Sequence, residues 1–361
     1  MARPAPPGLT EQMSPDLVRP AKAAPGDKVA VLSPSFAAPA VAPEVHEQAL
    51  RRLTEVTGLV PVEYPTTRRL NASPVDRAAD LNAAFGDREI RAVLATIGGD
   101  DQITVIPHLH TDLVRRDPKP FLGFSDNTNL LSWLWQQGVA SFHGGSTQIH
   151  LGPGPAVDEV HLRSLRAALL EGGRLEISEP GESEDVGRDW KDPAALTEYG
   201  DREPTEPWTW AGPARAVTGP TWGGCIEVLQ WILTAGRFPE DAGVLRGGVL
   251  LLEASEERIP ATEFGYITRS LGERGLLAAV EAVVVSRPPA SDLADPSDPA
   301  RRRAHREAQR DTVLEIVGRY NAEAVVVVGV PFGHTRPQWV LPYGGAMTVD
   351  GAERRLWADY A

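Results

Sequence analysis

Short apolar runs separated by segments of helical period constrain the first part of this chain more than any other feature. The runs at 28–32, 90–97, 120–124 and 139–142 are of strand length, and each stops at a turn: Ser33-Pro34, Gly98-Gly99, Ser125-Asp126 and His143-Gly144. Between them, 43–58 brings Val45, Leu50, Leu53 and Val56 near one helical face, and 74–85 opens with Ser73 as N-cap and Pro74 at the first helical position. The spacing also predicts helices over 103–116 and 128–137. Strands joined by connections of this length and type form βαβ units, so the expectation is a mostly parallel, open sheet with flanking helices.

From about 177 to 220 the periodicity fades into acidic residues, prolines and three tryptophans, Trp190, Trp208 and Trp210. A segment this long is either a solvated linker or a binding loop. Regular text then resumes, with helices at 225–235, 263–271 and 301–320, strands at 248–253, 279–285 and 324–330, and a closing hairpin over 339–349. The expected division is therefore a tail at 1–18, a first domain at 19–175, a linker or binding loop at 176–213, and a second α/β domain with a mixed, barrel-like sheet at 214–361. A length of 361 residues accommodates two such domains at about 150 residues each. The helix bearing Arg301, Arg302, Arg303, Arg306 and Arg310 reads as a solvated face, because acids flank it.

The formal net charge of −13 argues against a nucleic-acid surface. The single cysteine, Cys225, excludes an internal disulfide framework and a multi-cysteine zinc site. The start of the chain lacks an apolar signal-peptide core, and no run approaches the roughly 20 apolar residues that cross a bilayer. A cytoplasmic protein without metal or cofactor is expected. His108 and His110, two apart on the predicted helix 103–116, would face away from each other and make a poor metal pair.

Four features fall at strand ends. Ser125, in Gly123-Phe124-Ser125-Asp126-Asn127, sits where a strand meets a helix. By spacing alone that place is more often a helix N-cap than a nucleophile, though it also sets a hydroxyl beside free backbone N–H groups. It is not the G-x-S-x-G elbow, since Asn127 stands at the second glycine. Gly98-Gly99-Asp100-Asp101 ends the preceding strand, and paired glycines either form a tight turn or let backbone approach a ligand. Glu253 closes an apolar strand as a solvated carboxylate or a buried functional one. His334, in Gly333-His334-Thr335, follows the strand ending at Val330 as a surface turn residue or a general base.

Taken in order, Thr96-Ile97-Gly98-Gly99-Asp100-Asp101, Gly123-Phe124-Ser125-Asp126, Leu252-Glu253, Phe332-Gly333-His334-Thr335-Arg336-Pro337 and Leu341-Pro342-Tyr343-Gly344 resemble the LD-carboxypeptidase family of serine peptidases, closest to its microcin C self-immunity branch. The resemblance implies Ser125 as nucleophile, His334 as general base and Glu253 as the residue that orients the histidine. It further implies an oxyanion hole from the N–H groups of Gly99 and Asp126, and substrate contacts at Gly98, Asp100, Trp190 and Thr335. Ser-Glu-His is a workable order for such a triad, and Glu can serve where Asp often does. With Ser125 in one domain and Glu253 and His334 in the other, the site should lie in the cleft between them.

The expected substrate is an aminoacyl-nucleotide analogue, with a murein tetrapeptide ending in a D-residue as the alternative. A non-catalytic sequestering protein is the reading from another class. Relatives are homodimers, so a dimer is implied. Two positions depart from the family pattern. Cys225 follows Gly223-Gly224 where relatives carry asparagine, and it reads as either a reactive helix-start thiol or a buried inert one. Gly144-Gly145 stands where relatives often carry Gly-Pro.

Overall fold

The computed structural model describes residues 17–361. Strands β1 (Lys28–Leu32), β2 (Val60–Glu63), β3 (Ile90–Ala95), β4 (Phe121–Gly123) and β5 (Ser141–His143) run parallel in the order β5-β4-β3-β1-β2. Both faces of β1 and β3 are buried, which is why these strands read as unbroken apolar runs rather than alternating ones. Their connections are α1 (Pro43–Thr57), α2 (Pro74–Gly86), α3 (Thr111–Arg116) and α4 (Thr128–Gln136). Ala49 and Leu53 of α1 pack with Val29 and Val31, whereas Leu81 of α2 and Leu130 of α4 pack with Ala30 and Leu32. The sheet is therefore covered on both sides, and its order reverses between β1 and β3. In such sheets ligands settle at the carboxyl edge, at the point of reversal.

The Ser73 hydroxyl accepts from Asp76 N–H at 3.1 Å, as a capping serine should. The expected single helix over 103–116 is not formed. Two 3-10 turns, Gln102–Thr104 and Ile106–His108, precede α3. Pro107 offers no N–H to continue a helix, and the Asn82 side chain bridges the gap by bonding His108 C=O and His110 N–H, each at 2.9 Å. Of the expected tail, 1–18, all but Leu17 and Val18 lie outside the described residues, and Val18 bridges to Val139.

After α5 (Glu159–Arg166) the chain enters a second sheet with β6 (Arg174–Ile177), and β7 (Glu182–Ser183) then pairs with β8 (Glu203–Pro204). The remaining strands are β9 (Thr209–Ala211), β10 (Ala216–Cys225), β11 (Val249–Glu253), β12 (Ala282–Ser286), β13 (Val325–Val330), β14 (Leu341–Tyr343), β15 (Ala346–Asp350) and β16 (Arg355–Asp359). The second sheet is mixed, in the order β6-β16-β15-β10-β11-β12-β13-β9, with β10 to β13 parallel at its centre. Helices α6 (Ile226–Thr234), α7 (Ala261–Glu273), α8 (Leu276–Ala279) and α9 (Pro299–Tyr320) connect that centre.

The expected hairpin over 339–349 is split between the sheets. β14 lies antiparallel to β5, with Leu341 opposite His143, while β15 pairs with β10. Gly344, at φ +82°, turns the chain from one sheet to the other, a conformation glycine adopts without penalty.

The segment 176–213 is tied down along much of its length. Glu184 exchanges backbone hydrogen bonds with Arg336, and β9, with Trp208 just before it and Trp210 within it, forms the edge of the second sheet, where both rings pack on its core. Asp185 accepts from Arg287 and Arg306 at 2.7 Å, and Glu203 binds Arg302 and Arg306. The solvated-face expectation for the arginine-rich helix thus fails at Arg306, which is buried because the preceding segment supplies its counter-charges.

The two halves meet through aromatic side chains. Trp135 of α4 stacks on Phe238 at 6.1 Å, and Phe238 lies 4.6 Å from Trp222 of β10. Because Trp222 is only 2% exposed at this junction, Trp222→Ala should destabilise the chain by about 3–5 kcal/mol, read as an earlier midpoint in urea unfolding. A loss of unfolding free energy of less than about 1 kcal/mol would show that the junction does not hold the halves together.

Candidate active site

Ser125 follows β4 at the carboxyl edge of the first sheet, with φ +60°. For a non-glycine residue this left-handed conformation costs on the order of 1–2 kcal/mol, so the surroundings must impose it. They do so through Asp126 and Asn127. The Asp126 carboxylate is fully buried and accepts from Ser35 Oγ at 2.6 Å, Gln102 N–H at 2.8 Å and Asn129 Nδ2 at 2.9 Å. Burial raises its pKa above the usual carboxylate range, and the Ser35 and Gln102 hydrogen bonds counter that rise. Asn127 donates to the carbonyls of Ile97 and Phe124 and accepts from Gln102. Its own turn, Ser125–Asn127, begins at Ser125, and neither this turn nor α4 receives a side-chain cap. Ser125 is therefore not acting as an N-cap.

Gly98 explains itself by proximity. A Cβ there would fall 2.9 Å from Ser125 Oγ and 3.1 Å from the Asp126 nitrogen, so the backbone passes directly against the serine. The next residue, Gly99, packs similarly against Ser35, and Phe36 N–H donates to Gly98 C=O at 3.0 Å. The turns after β1, β3 and β4 thus converge where the sheet order reverses. Asp100 is exposed at the rim, and its neighbour Asp101 forms a bidentate pair with the buried Arg77.

Glu253 ends β11 with no exposure, paired in register with Cys225 at the end of β10. Its Oε2 lies 2.5 Å from Nδ1 of His334, in the turn that follows β13. Glycine is required at 333 for that approach, because a Cβ would meet both Glu253 Oε2 and Ser286 Oγ at 2.8 Å. Burial alone would raise the Glu253 pKa, but the His334 charge, the hydrogen bond from His334 and the nearby His143 ring bring it below the ordinary value. For His334, burial disfavours the imidazolium, and Glu253 and Glu256 more than reverse that, raising its pKa well above the usual range.

Phe124, the residue before Ser125, packs edge-on against the His334 ring at 4.9 Å. The turn that bears Ser125 is in this way set, through Phe124, against the Glu253–His334 pair of the other sheet. Thr335 is also buried, and its hydroxyl finds no partner among the described residues. Trp190 is half-buried in a turn of the 176–213 segment, with no aromatic contact among the described residues. Cys225 is 1% exposed and bonded through Sγ to Glu227 at 3.2 Å; burial first, then the Glu227 charge, pushes its thiol pKa well up. That environment belongs to an inert thiol rather than a reactive one.

Two residues of the site were not singled out from the sequence. His143, at the end of β5, is fully buried with both ring nitrogens lacking a hydrogen-bond partner among the described residues, and its Nε2 faces the second Glu253 oxygen at 3.7 Å. Glu256, three residues beyond Glu253, places Oε2 2.9 Å from His334 Nε2. The signal for His143 was its place on the strand beside β4, and for Glu256 the acidic run that continues past the strand end.

A model described as the LD-carboxypeptidase N-terminal domain matches residues 29–144, and one described as the LD-carboxypeptidase C-terminal domain matches 218–349. A Vibrio cholerae protein provisionally named a carboxypeptidase is 27% identical over 333 residues, or 90% of this chain and 92% of that protein. The Escherichia coli microcin C7 self-immunity protein MccF is 23% identical over 278 residues, 76% of this chain and 75% of MccF. The solved structure of MccF in complex with glutamyl sulfamoyl guanosine has the same fold, with a TM-score of 0.81 at 21% identity over 96% of this chain and 98% of that one. Matched in both of its halves, the chain belongs to the LD-carboxypeptidase family.

Proposed function

We propose that this chain is a serine peptidase or amidase that hydrolyses an amide next to a carboxylate or acyl-nucleotide group, in the manner of microcin C immunity. The observation that carries this reading is the buried Glu253–His334 pair set against Phe124, immediately beside the strained Ser125. Similarity to MccF, whose structure holds a glutamyl sulfamoyl guanosine, favours an aminoacyl-nucleotide substrate.

In the proposed reaction Ser125 Oγ attacks the amide carbon and its proton passes to His334 Nε2. Glu253, on Nδ1, holds the ring tautomer and stabilises the imidazolium that forms. Negative charge on the carbonyl oxygen is met by the Gly99 and Asp126 N–H groups, the latter held by the Asp126 carboxylate network. His334 returns the proton to the leaving nitrogen, and the C–N bond breaks to leave an acyl-serine. Water, deprotonated by His334, then releases the acid and restores Ser125. Substrate contacts are assigned to Gly98 and Asp100 at the mouth, to Thr335 beside His334, and to Trp190 as a stacking face for the base.

Ser125→Ala is expected to lower kcat at least about 10⁴-fold on an aminoacyl sulfamoyl adenosine, measured by product mass spectrometry. In the same assay Trp190→Ala should raise KM by about tenfold with little change in kcat. Full turnover by Ser125→Ala would refute the serine mechanism, and an unchanged KM would remove Trp190 from the site.

The pH profile follows from the sign of the His334 shift. The base works only when neutral, and Glu253 and Glu256 favour its protonated form, so kcat/KM should rise with pH along a limb centred above about 6.5. A limb centred below that value would show that the carboxylates do not govern the base.

A further inference from the structure

The nitrogen that must receive the Ser125 proton already has a neighbour. Glu256 Oε2 sits 2.9 Å from His334 Nε2, a charge contact rather than an aligned hydrogen bond. The arrangement is held from below. Glu227 Oε1, at the start of α6, accepts from Ser255 N–H at 3.1 Å and Ser255 Oγ at 2.7 Å, and Ser255 Oγ in turn accepts from Glu257 N–H at 3.2 Å. This turn presents Glu256 over the imidazole while leaving its side chain 69% exposed. The nearest basic side chain in the turn, Arg258, is directed away to Asp292 at 2.5 Å and Asp295 at 3.2 Å. Glu256 is therefore the exposed face of an acidic wall on the His334 side of the site, with Glu227, held by Ser255, and the buried Glu253 behind it.

Such a wall repels a carboxylate and attracts an ammonium group. Catalysis also requires Glu256 to leave Nε2, and a cation in the cleft would give its carboxylate a new partner. We infer that Glu256 is a specificity-determining residue, selecting substrates with a free ammonium group within a few bonds of the scissile amide, as an aminoacyl group carries. Binding of that group draws Glu256 off His334 Nε2 and opens the nitrogen to Ser125. The inference rests on the Ser125–His334 reading of the site and names the chemistry of its substrate.

The test pairs alanyl sulfamoyl adenosine with its N-acetyl derivative. Calorimetric titration into the Ser125→Ala chain measures binding without turnover, and hydrolysis is followed with the native chain and Glu256→Gln. The free-amine compound should bind at least about tenfold more tightly than the acetylated one, and the native chain should show a similar preference in kcat/KM. Adding Glu256→Gln to the Ser125→Ala chain should collapse the binding preference, and Glu256→Gln alone should collapse the kinetic one. Equal affinities, no binding of the free-amine compound, or a preference undiminished by Glu256→Gln would overturn the inference. Hydrolysis by Ser125→Ala would instead overturn the underlying reading, so the two failures are distinguishable.

Discussion

The carboxylate of Glu253 and the imidazole of His334, 2.5 Å apart and shielded from water, are the interaction around which the site is built. A carboxylate with no exposure is tolerated only when its charge is matched, and removing one member of such a pair costs about 3–5 kcal/mol because the other is left uncompensated. Several neighbouring features follow from this requirement. Gly333 has no side chain because the Glu253 carboxylate occupies that space, and His143 turns Nε2 toward the oxygen that His334 does not use. Phe124 closes one side of the His334 ring. The pair orients the imidazole and also keeps negative charge where an imidazolium must form.

Placing that pair beside Ser125 is the task of the two sheets. Glu253 ends β11 and His334 follows β13, two strands over in the parallel centre of one sheet, and Ser125 follows a carboxyl end in the other. The aromatic junction of Trp135, Trp222 and Phe238 joins the halves, and β14 carries the chain from the His334 turn into the first sheet. The strain at Ser125 is imposed by the buried Asp126 carboxylate and the Asn127 amide, which hold the backbone while the serine hydroxyl stays uncommitted as a cap.

Much of this was legible in the sequence because it rests on local rules. Buried parallel strands are unbroken apolar runs, Ser73-Pro74 starts a helix, and glycines flank the residues that need close backbone approach. What escaped detection depends on distant partners. The 103–116 segment carries an apolar pattern, but Pro107 and the Asn82 side chain break the helix. Arg306 reads as a surface arginine until Asp185 and Glu206, more than a hundred residues and a hundred residues earlier, are seen to bury it. The 339–349 text has the alternation of a hairpin, yet its strands belong to different sheets. His143 and Glu256 carry only a faint sequence signal, a strand-end position and an acidic run, because their meaning comes from Glu253 and His334.

The central claim is that Ser125 is the residue activated by His334 and Glu253. Its most direct test is labelling of the full chain with a serine-reactive fluorophosphonate, followed by intact-mass measurement and peptide mapping. One adduct on Ser125, lost when His334 is replaced by alanine, is the predicted result. An adduct on another residue, no adduct at all, or labelling of Ser125 undiminished by His334→Ala would contradict it.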